Sequence, residues 1–141
     1  MIIEKLKEVI NAANADYEVV YDEATMFNVQ ADAFETNYKF AYIEEFREGE
    51  ISGKYNLNES TKMQIAFGQI TKIQLTALER EEIRDTIKQE IVMPFIEAFN
   101  SSNVFEKVNS FKTYTPLARF DANEVSVILE FNCVELGTNN C

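Results

Sequence analysis

Apolar residues near the N-terminus recur at three- and four-residue steps, which is the spacing of one face of a helix. The stripe consists of Ile2, Leu6, Val9, Ile10 and Ala13. It predicts a helix of about three turns that ends near residues 11–14. The run YEVVY at residues 17–21 is rich in β-branched and aromatic residues and predicts a short strand. Residues 22–37 have no clean period and predict a long loop with a few apolar residues, among them Phe27 and Phe34.

From Tyr38 the apolar period changes to two, which is the period of a strand with one face on a core. This predicts a strand to about Phe46, followed by a polar turn at residues 47–50. A second strand, ISGKYNL at residues 51–57, and a third, TKMQIAFGQI at residues 61–70, follow with a short turn between them. The core-facing residues of the second strand would be Ile51, Tyr55 and Leu57. Three runs joined by short polar turns predict an antiparallel meander.

The longest predicted helix starts at a capping box, because Thr76 and Glu79 have the S/T-x-x-E spacing. Its apolar stripe contains Ile83, Ile87, Ile91 and Phe95. Its solvent face would contain Glu81, Glu82, Arg84, Asp85 and Lys88. Pro94 cannot donate a helical hydrogen bond, so a kink or break is expected there. One further strand is predicted around Val108–Tyr114.

The last strand has the clearest alternation in the chain. One face is formed by Val125, Val127, Leu129, Phe131 and Cys133. Cys133 is therefore expected to be a core residue with an inert thiol, and Cys141 a free thiol on a flexible tail at about 137–141. The order of elements predicts a single α+β domain over residues 1–141. Its antiparallel sheet would contain the three-strand meander and the C-terminal strand, with the N-terminal and central helices packed on one face.

Composition narrows the function classes. The 141 residues are 46% hydrophobic and 26% charged, as in a folded domain, and no apolar run approaches the roughly 18 residues of a membrane span. The chain has no histidine, so Ser-His or Cys-His catalysis and His-ligated zinc are excluded. A net charge of −11 disfavours binding to phosphate backbones. An intracellular, reducing setting is expected, in which two cysteines remain free thiols.

Clustered acids are the remaining candidates for chemistry. The groups are Asp22-Glu23, Glu44-Glu45, Glu48 with Glu50, and Glu79-Glu81-Glu82. Neighbouring strand residues point to opposite faces, and acids in the first turn of a helix are favoured by its dipole. A solvated surface is therefore expected, without catalytic residues, metal or cofactor. The segment before the last strand, which includes Arg119 and Asp121, is either an interaction loop or an ordinary connection.

The layout resembles a family of phage structural proteins. The segments that carry the resemblance are the DEATMF stretch at residues 22–27, the strands YKFAYIEEF and TKMQIAFGQI, the helix end MPFIEAFN, and the final RFDANEVSVILEFNCVEL. Together they resemble the tail terminator and head–tail completion proteins of long-tailed bacteriophages. These are small α+β subunits that form rings, commonly hexameric, at the end of the tail tube.

The resemblance implies a structural virion protein without enzymatic activity. Its partners would be further copies of itself in a ring, most simply a hexamer, together with the tail tube and the head–tail connector. DNA would pass through the acidic ring without specific binding, and no membrane would be involved. The interface would include the hairpin at residues 46–55. The proposed interface residues are Phe27, Phe34, Arg47, Glu48, Glu50, Lys54, Arg119 and Asp121.

Two other classes stay open. An acidic binding module, such as a DNA mimic that inhibits a host nuclease, would need carboxylates spaced like phosphates on one face. An enzyme that uses carboxylates or a thiol would need a clustered acid pair, which the sequence does not display. The mixed Lys, Arg and Glu along both predicted helices argue against a surface of one sign and place the binding module second. The lack of histidine, tryptophan, a nucleotide-binding loop and a clustered acid pair places the enzyme last.

Overall fold

A computed structural model describes residues 2–21, 38–44, 47–71, 75–116 and 124–136. The strands are β1 (Glu18–Val20), β2 (Lys39–Ile43), β3 (Glu48–Ser52), β4 (Asn58–Ile70), β5 (Lys112–Tyr114) and β6 (Glu124–Cys133). The helices are α1 (Ile2–Ala13), α2 (Ala77–Ile87) and α3 (Met93–Ser101), with a π-helical turn (Lys88–Val92) between α2 and α3. The predicted loop at residues 22–37 and the predicted tail at 137–141, with Cys141, lie outside the described residues.

The strands form one six-stranded sheet in the order β1-β2-β4-β6-β5, and β3 pairs with the first part of β4. The longest ladder joins β4 to β6, from Thr61 opposite Cys133 to Ile70 opposite Glu124. The α+β class is thus confirmed. The sheet is mostly antiparallel, but β1 runs parallel to β2, which the prediction of an antiparallel sheet did not include.

The predicted meander is wrong in its pairing. Strands β2 and β3 both pair antiparallel with β4, on the edge opposite β6, so they do not lie side by side. Residues 48–50, predicted as a turn, belong to β3, and the real turn falls within the predicted strand 51–57. Gly53 explains the shift: its φ of 109° suits glycine, and a Cβ there would lie 2.3 Å from the Asn56 carbonyl oxygen. Turn-forming residues therefore outweigh the apolar alternation.

The break in the long helix is confirmed. The capping box is present, with Thr76 Oγ1 accepting from the Glu79 N–H and Glu79 Oε1 accepting from the Thr76 N–H, both at 3.1 Å. A π-helical turn separates α2 from α3, and Pro94 lies in the first turn of α3. Pro94 has no N–H for the Glu90 carbonyl, and Asn14 Nδ2 donates to that oxygen at 3.2 Å instead. The interruption thus connects the helix to the end of α1.

A polar cluster fixes the same turn to the sheet. Glu90 Oε2 accepts from Tyr17 Oη at 3.3 Å and from Lys39 Nζ at 2.9 Å. Burial, reinforced by the Glu90 charge and hydrogen bond, raises the pKa of Tyr17, so the phenol remains protonated and can donate. The cluster joins the segment before β1, strand β2 and the π-helical turn, and we assign it a structural role.

Helices α1 and α3 and the π-helical turn cover one face of the sheet, as predicted, and enclose a phenylalanine core. The Phe99 ring lies 4.8 Å from Phe105, 5.1 Å from Phe131 and 5.8 Å from Phe95, measured between centroids. Cys133 is buried in the same core, as predicted, and burial raises the pKa of its thiol to about 12. The thiol is therefore protonated at neutral pH.

The opposite face of the sheet is also buried in its inner part. The residues of this second cluster are Val20, Phe40, Tyr42, Ala66, Ile70 and Ile128. Ser126 and Glu124 on the same face of β6 are buried as well. For β6 the alternation gave the correct core face, but it did not indicate that the opposite face is buried as well. Arg84 was wrongly predicted to face solvent: α2 contacts β6, and Arg84 is 7% exposed.

The predicted strand at residues 108–114 is shorter than expected, since β5 covers only Lys112–Tyr114. The Asn100 side chain explains this, because it donates to the Val108 carbonyl at 3.1 Å and accepts from the Val108 N–H at 2.9 Å. Val108 therefore has no free backbone group for a strand partner. Among the described helices, none is long and apolar enough to cross a membrane.

Replacing Phe99 by Ala should lower the free energy of unfolding by about 3–5 kcal/mol, because it empties the centre of the phenylalanine core. Urea denaturation followed by circular dichroism measures the change. The control is Leu78→Ala on α2, where the side chain is 70% exposed and the expected loss is below about 0.5 kcal/mol. Equal losses for the two variants would show that the core has been placed wrongly.

Candidate interaction surface

A β-hairpin extends beyond the core. We define the hairpin arm as β3, the turn at residues 53–57 and residues 58–62 of β4. All five residues of β3 are exposed, whereas β4 is buried or half-buried from Met63 onward. Strand β6 ends at Cys133, opposite Thr61, so the described residues provide no partner for Asn58–Ser60 on that side. The arm is therefore held to the rest of the protein mainly through the continuation of β4 into the core.

One face of the hairpin arm is charged. Glu48 lies opposite Lys62, with Oε2 and Nζ 3.5 Å apart, and Glu50 lies opposite Ser60. The Glu48 and Lys62 side chains are 76% and 46% exposed, so this ion pair contributes little to stability. Charged residues on an edge strand do oppose uncontrolled pairing with other strands. The charged face therefore limits where another molecule can attach.

The end of the hairpin arm is apolar. We define the apolar tip as Ile51, Tyr55 and Leu57, whose exposed fractions are 65%, 86% and 66%. The Lys54 amine lies 5.6 Å from the centre of the Tyr55 ring, so a positive charge accompanies the most exposed aromatic side chain. The prediction that these three residues face the core is wrong, because β3 and the turn run past the end of β6. Grouped exposed apolar side chains are typical of binding sites.

Arg47 stands at the base of the hairpin arm and contacts its own chain. Its Nη1 donates to the Tyr21 hydroxyl at 3.2 Å and to the Glu44 carbonyl at 3.4 Å. The guanidinium also lies 5.5 Å from the centre of the Tyr21 ring. These contacts connect the arm to the end of β1. Arg47 is thus placed to orient the arm, and its predicted direct contact with a partner stays a prediction.

The structure brings together three of the predicted interface residues. Glu48, Glu50 and Lys54 lie on the hairpin arm, with Arg47 at its base. Phe27, Phe34, Arg119 and Asp121 lie outside the described residues. The sequence prediction missed the exposure of the apolar tip. The sequence nevertheless contained a signal for this exposure, because SGKYNLN at residues 52–58 is rich in turn-forming residues that a core strand avoids.

A polar trough continues from the charged face of the hairpin arm across the sheet. Glu130 Oε1 accepts from Gln64 Nε2 at 2.8 Å, and Glu130 Oε2 accepts from the Tyr114 hydroxyl at 3.3 Å. The Gln64 hydrogen bond is the main cause that lowers the pKa of Glu130, with smaller effects of Tyr114, Lys62 and Lys112. Glu130 therefore stays ionised within a network that is already satisfied, and the trough does not provide a reactive acid.

Among the described residues, the carboxylates suggested by the sequence do not form a metal-binding group. Glu79 is a helix cap, and its backbone and side-chain hydrogen bonds with Thr76 lower its pKa. Glu81 forms an ion pair with Arg84, with Oε1 and Nη1 2.8 Å apart. Within the described ranges, no three His, Cys, Asp or Glu side chains are grouped so that they could hold a metal ion.

Comparison of the sequence with protein-family models found no matching family, and comparison with curated proteins found no significant match. The resemblance to tail terminator proteins is therefore a hypothesis that rests on element order and on the final strand. The hairpin arm is the surface that any functional account has to explain.

Polar replacement of the apolar tip should leave the fold intact. The double variant Tyr55→Ser/Leu57→Ser should change the free energy of unfolding of the dilute protein by no more than about 0.5 kcal/mol per site, because both side chains are already in water. Urea denaturation at low protein concentration measures this. A loss of about 2 kcal/mol or more would mean that the tip packs against its own chain.

Proposed function

We propose that the protein is a structural subunit that assembles with copies of itself into a closed ring, at the end of a phage tail tube or at the head–tail junction. The observation that carries the proposal is the hairpin arm, with Tyr55 86% exposed at its end. When a partner covers large exposed apolar side chains and removes them from water, the free energy of the complex is lowered. An arm that projects from the core is suited to reach a neighbouring subunit.

Charge is consistent with this role. With 24 acidic and 13 basic residues, the chain carries a net charge of −11, so a ring of several copies would repel the DNA that passes through it. The same charge makes subunits repel each other, and added salt should reduce that repulsion, because the screening length is about 8 Å at 0.15 M. We therefore expect higher ionic strength to favour assembly, because the subunits repel each other by charge and attract each other through an apolar contact.

The place of the ring in a virion rests on the resemblance in element order and in the final strand. An N-terminal helix, a sheet region, a long interrupted helix and a closing strand occur in the order typical of tail terminator subunits. The tail tube and the connector are accordingly the proposed partners. A DNA-mimic function is less favoured, because Lys5, Lys39 and Lys62 each form an ion pair with a glutamate and interrupt any single-sign surface.

Native mass spectrometry and negative-stain microscopy over a range of protein and salt concentrations test the proposal. We expect one closed oligomer of fixed subunit number, a hexamer by the resemblance, whose population rises with protein concentration and salt. Purified tail tubes should promote the same species when the free subunit is dilute. A chain that stays monomeric at every concentration, with tail tubes present as well, would contradict the proposal.

The arm can be tested against a matched site. Leu57→Asp should shift the assembly midpoint to at least tenfold higher protein concentration, because it places a charge in the contact. The control Leu78→Asp alters a leucine of similar exposure, 70% against 66%, and should leave the midpoint unchanged within about twofold. Sedimentation velocity measures both, and equal shifts would mean that the arm has no special role.

A further inference from the structure

We propose that the apolar tip of one copy binds in a groove between α1 and α3 of the next copy, so that this contact repeats around the ring. The inference rests on the proposed function, which supplies the second copy. It adds the receiving surface, which the sequence did not indicate. It also makes the contact head-to-tail, with two different surfaces on each subunit, as a ring requires.

The groove lies where two helices bring short side chains together. Its apolar lining consists of Val9 and Ala12 from α1, Ala98 from α3, and Val104. Alanine at positions 12 and 98 leaves a depression of about 280 Å³ on the outer surface of the helices. Pockets for small-molecule ligands usually enclose about 300–1,000 Å³ and are deeper than this shallow groove. Its size suits one or two side chains of a protein partner.

The apolar tip provides side chains of the matching kind. Tyr55 and Leu57 are two residues apart in the turn at residues 53–57, and neither contributes to the core. The tip does not occupy the groove of its own chain, because Tyr55 is 86% and Leu57 66% exposed. A tyrosine is well suited to such a contact, since its ring buries a large area while its hydroxyl can stay near water at the rim. The tip therefore remains available to a second copy.

Charge favours the same pairing. Lys54 stands beside the Tyr55 ring, so the tip carries a cation, although the chain as a whole is acidic. At the groove, Lys5 is already paired with Glu135 at 2.7 Å, whereas Glu8 has no ion-pair partner in the described part of the chain. The uncompensated charge at the groove is thus negative. Entry of Tyr55 would bring Lys54 towards Glu8, which favours this cationic tip over an acidic segment of another protein.

A mixing experiment tests the head-to-tail contact. The tip variant Tyr55→Asp/Leu57→Asp keeps its groove, and the groove variant Ala12→Arg keeps its tip. Ala12 is exposed, so the fold should accept the arginine. Each variant alone should be monomeric, and a 1:1 mixture should give a dimer with one copy of each and nothing larger. Native mass spectrometry resolves the two masses, and circular dichroism confirms that both variants are folded.

The mixture result is specific because the mixed dimer has one intact contact and two disabled surfaces that cannot extend it. Ring formation by either variant alone, or the absence of a mixed dimer, would overturn the inference. If the wild type forms rings and both variants do too, the proposed function stands and only the inference fails. A wild type that stays monomeric with tail tubes present would overturn both.

A charge exchange tests the same contact without large changes in shape. Lys54→Glu and Glu8→Lys should each raise the concentration needed for assembly by roughly fivefold, because each leaves two like charges facing one another. The double variant should return to within about twofold of the wild type, as the pair is restored in reverse. Two single losses that simply add in the double variant would contradict a contact between Lys54 and Glu8.

Discussion

Strand β4 pairs along both of its edges, and this pairing determines where the buried part of the sheet ends and the hairpin arm begins. Strand β6 occupies one edge from Thr61 to Ile70, while β3 and β2 share the other. Both faces of the inner part of β4 are buried. The helices cover one face, and the second cluster, which contains Phe40, lies on the other. A strand held in this way is rigid, so it provides a firm support for the residues that continue beyond it.

The outer part of β4 has lost these constraints, although the backbone is continuous. From Asn58 to Ser60 its only described partner strand is β3, and the hairpin they form has no core of its own. Isolated two-stranded hairpins are marginally stable in water. The contacts between Arg47 and Tyr21 should therefore fix the direction of the arm at its base. The end of the arm should become fully ordered only when a partner covers it. This combination suits a contact that is made during assembly.

The sequence predicted those elements whose signals are local and agree with one another. The capping box at Thr76, the break at Pro94 and the alternation that buries Cys133 all appear in the structure. The α+β class followed from them. The predictions failed where a tertiary partner decides the outcome. Alternation at Ile51 and Tyr55 is identical for a core strand and for an exposed arm. The turn-forming residues around them and the end of β6 at Cys133 distinguish the two.

Other features also depend on partners that are distant in the sequence. Arg84 is buried because α2 lies against β6, and the parallel pairing of β1 with β2 cannot be read from either short segment. The groove between α1 and α3 requires Ala12 and Ala98 to meet across 86 residues of chain, so no local pattern predicts it. The arm residues Glu48, Glu50 and Lys54 were identified as interface candidates, whereas their apolar neighbours were assigned to the core.

The central claim is that the hairpin arm lies outside the folded core and becomes covered by another copy. Hydrogen exchange of backbone amides, followed by mass spectrometry on dilute and on assembled protein, tests it most directly. In the dilute protein, amides of residues 48–52 and 58–60 should exchange much faster than those of residues 63–69, which open only with the whole fold. On assembly, the arm should become protected while the inner strand changes little. Equal protection of arm and inner strand in the dilute protein, or an arm that exchanges equally fast in the assembled state, would contradict the account.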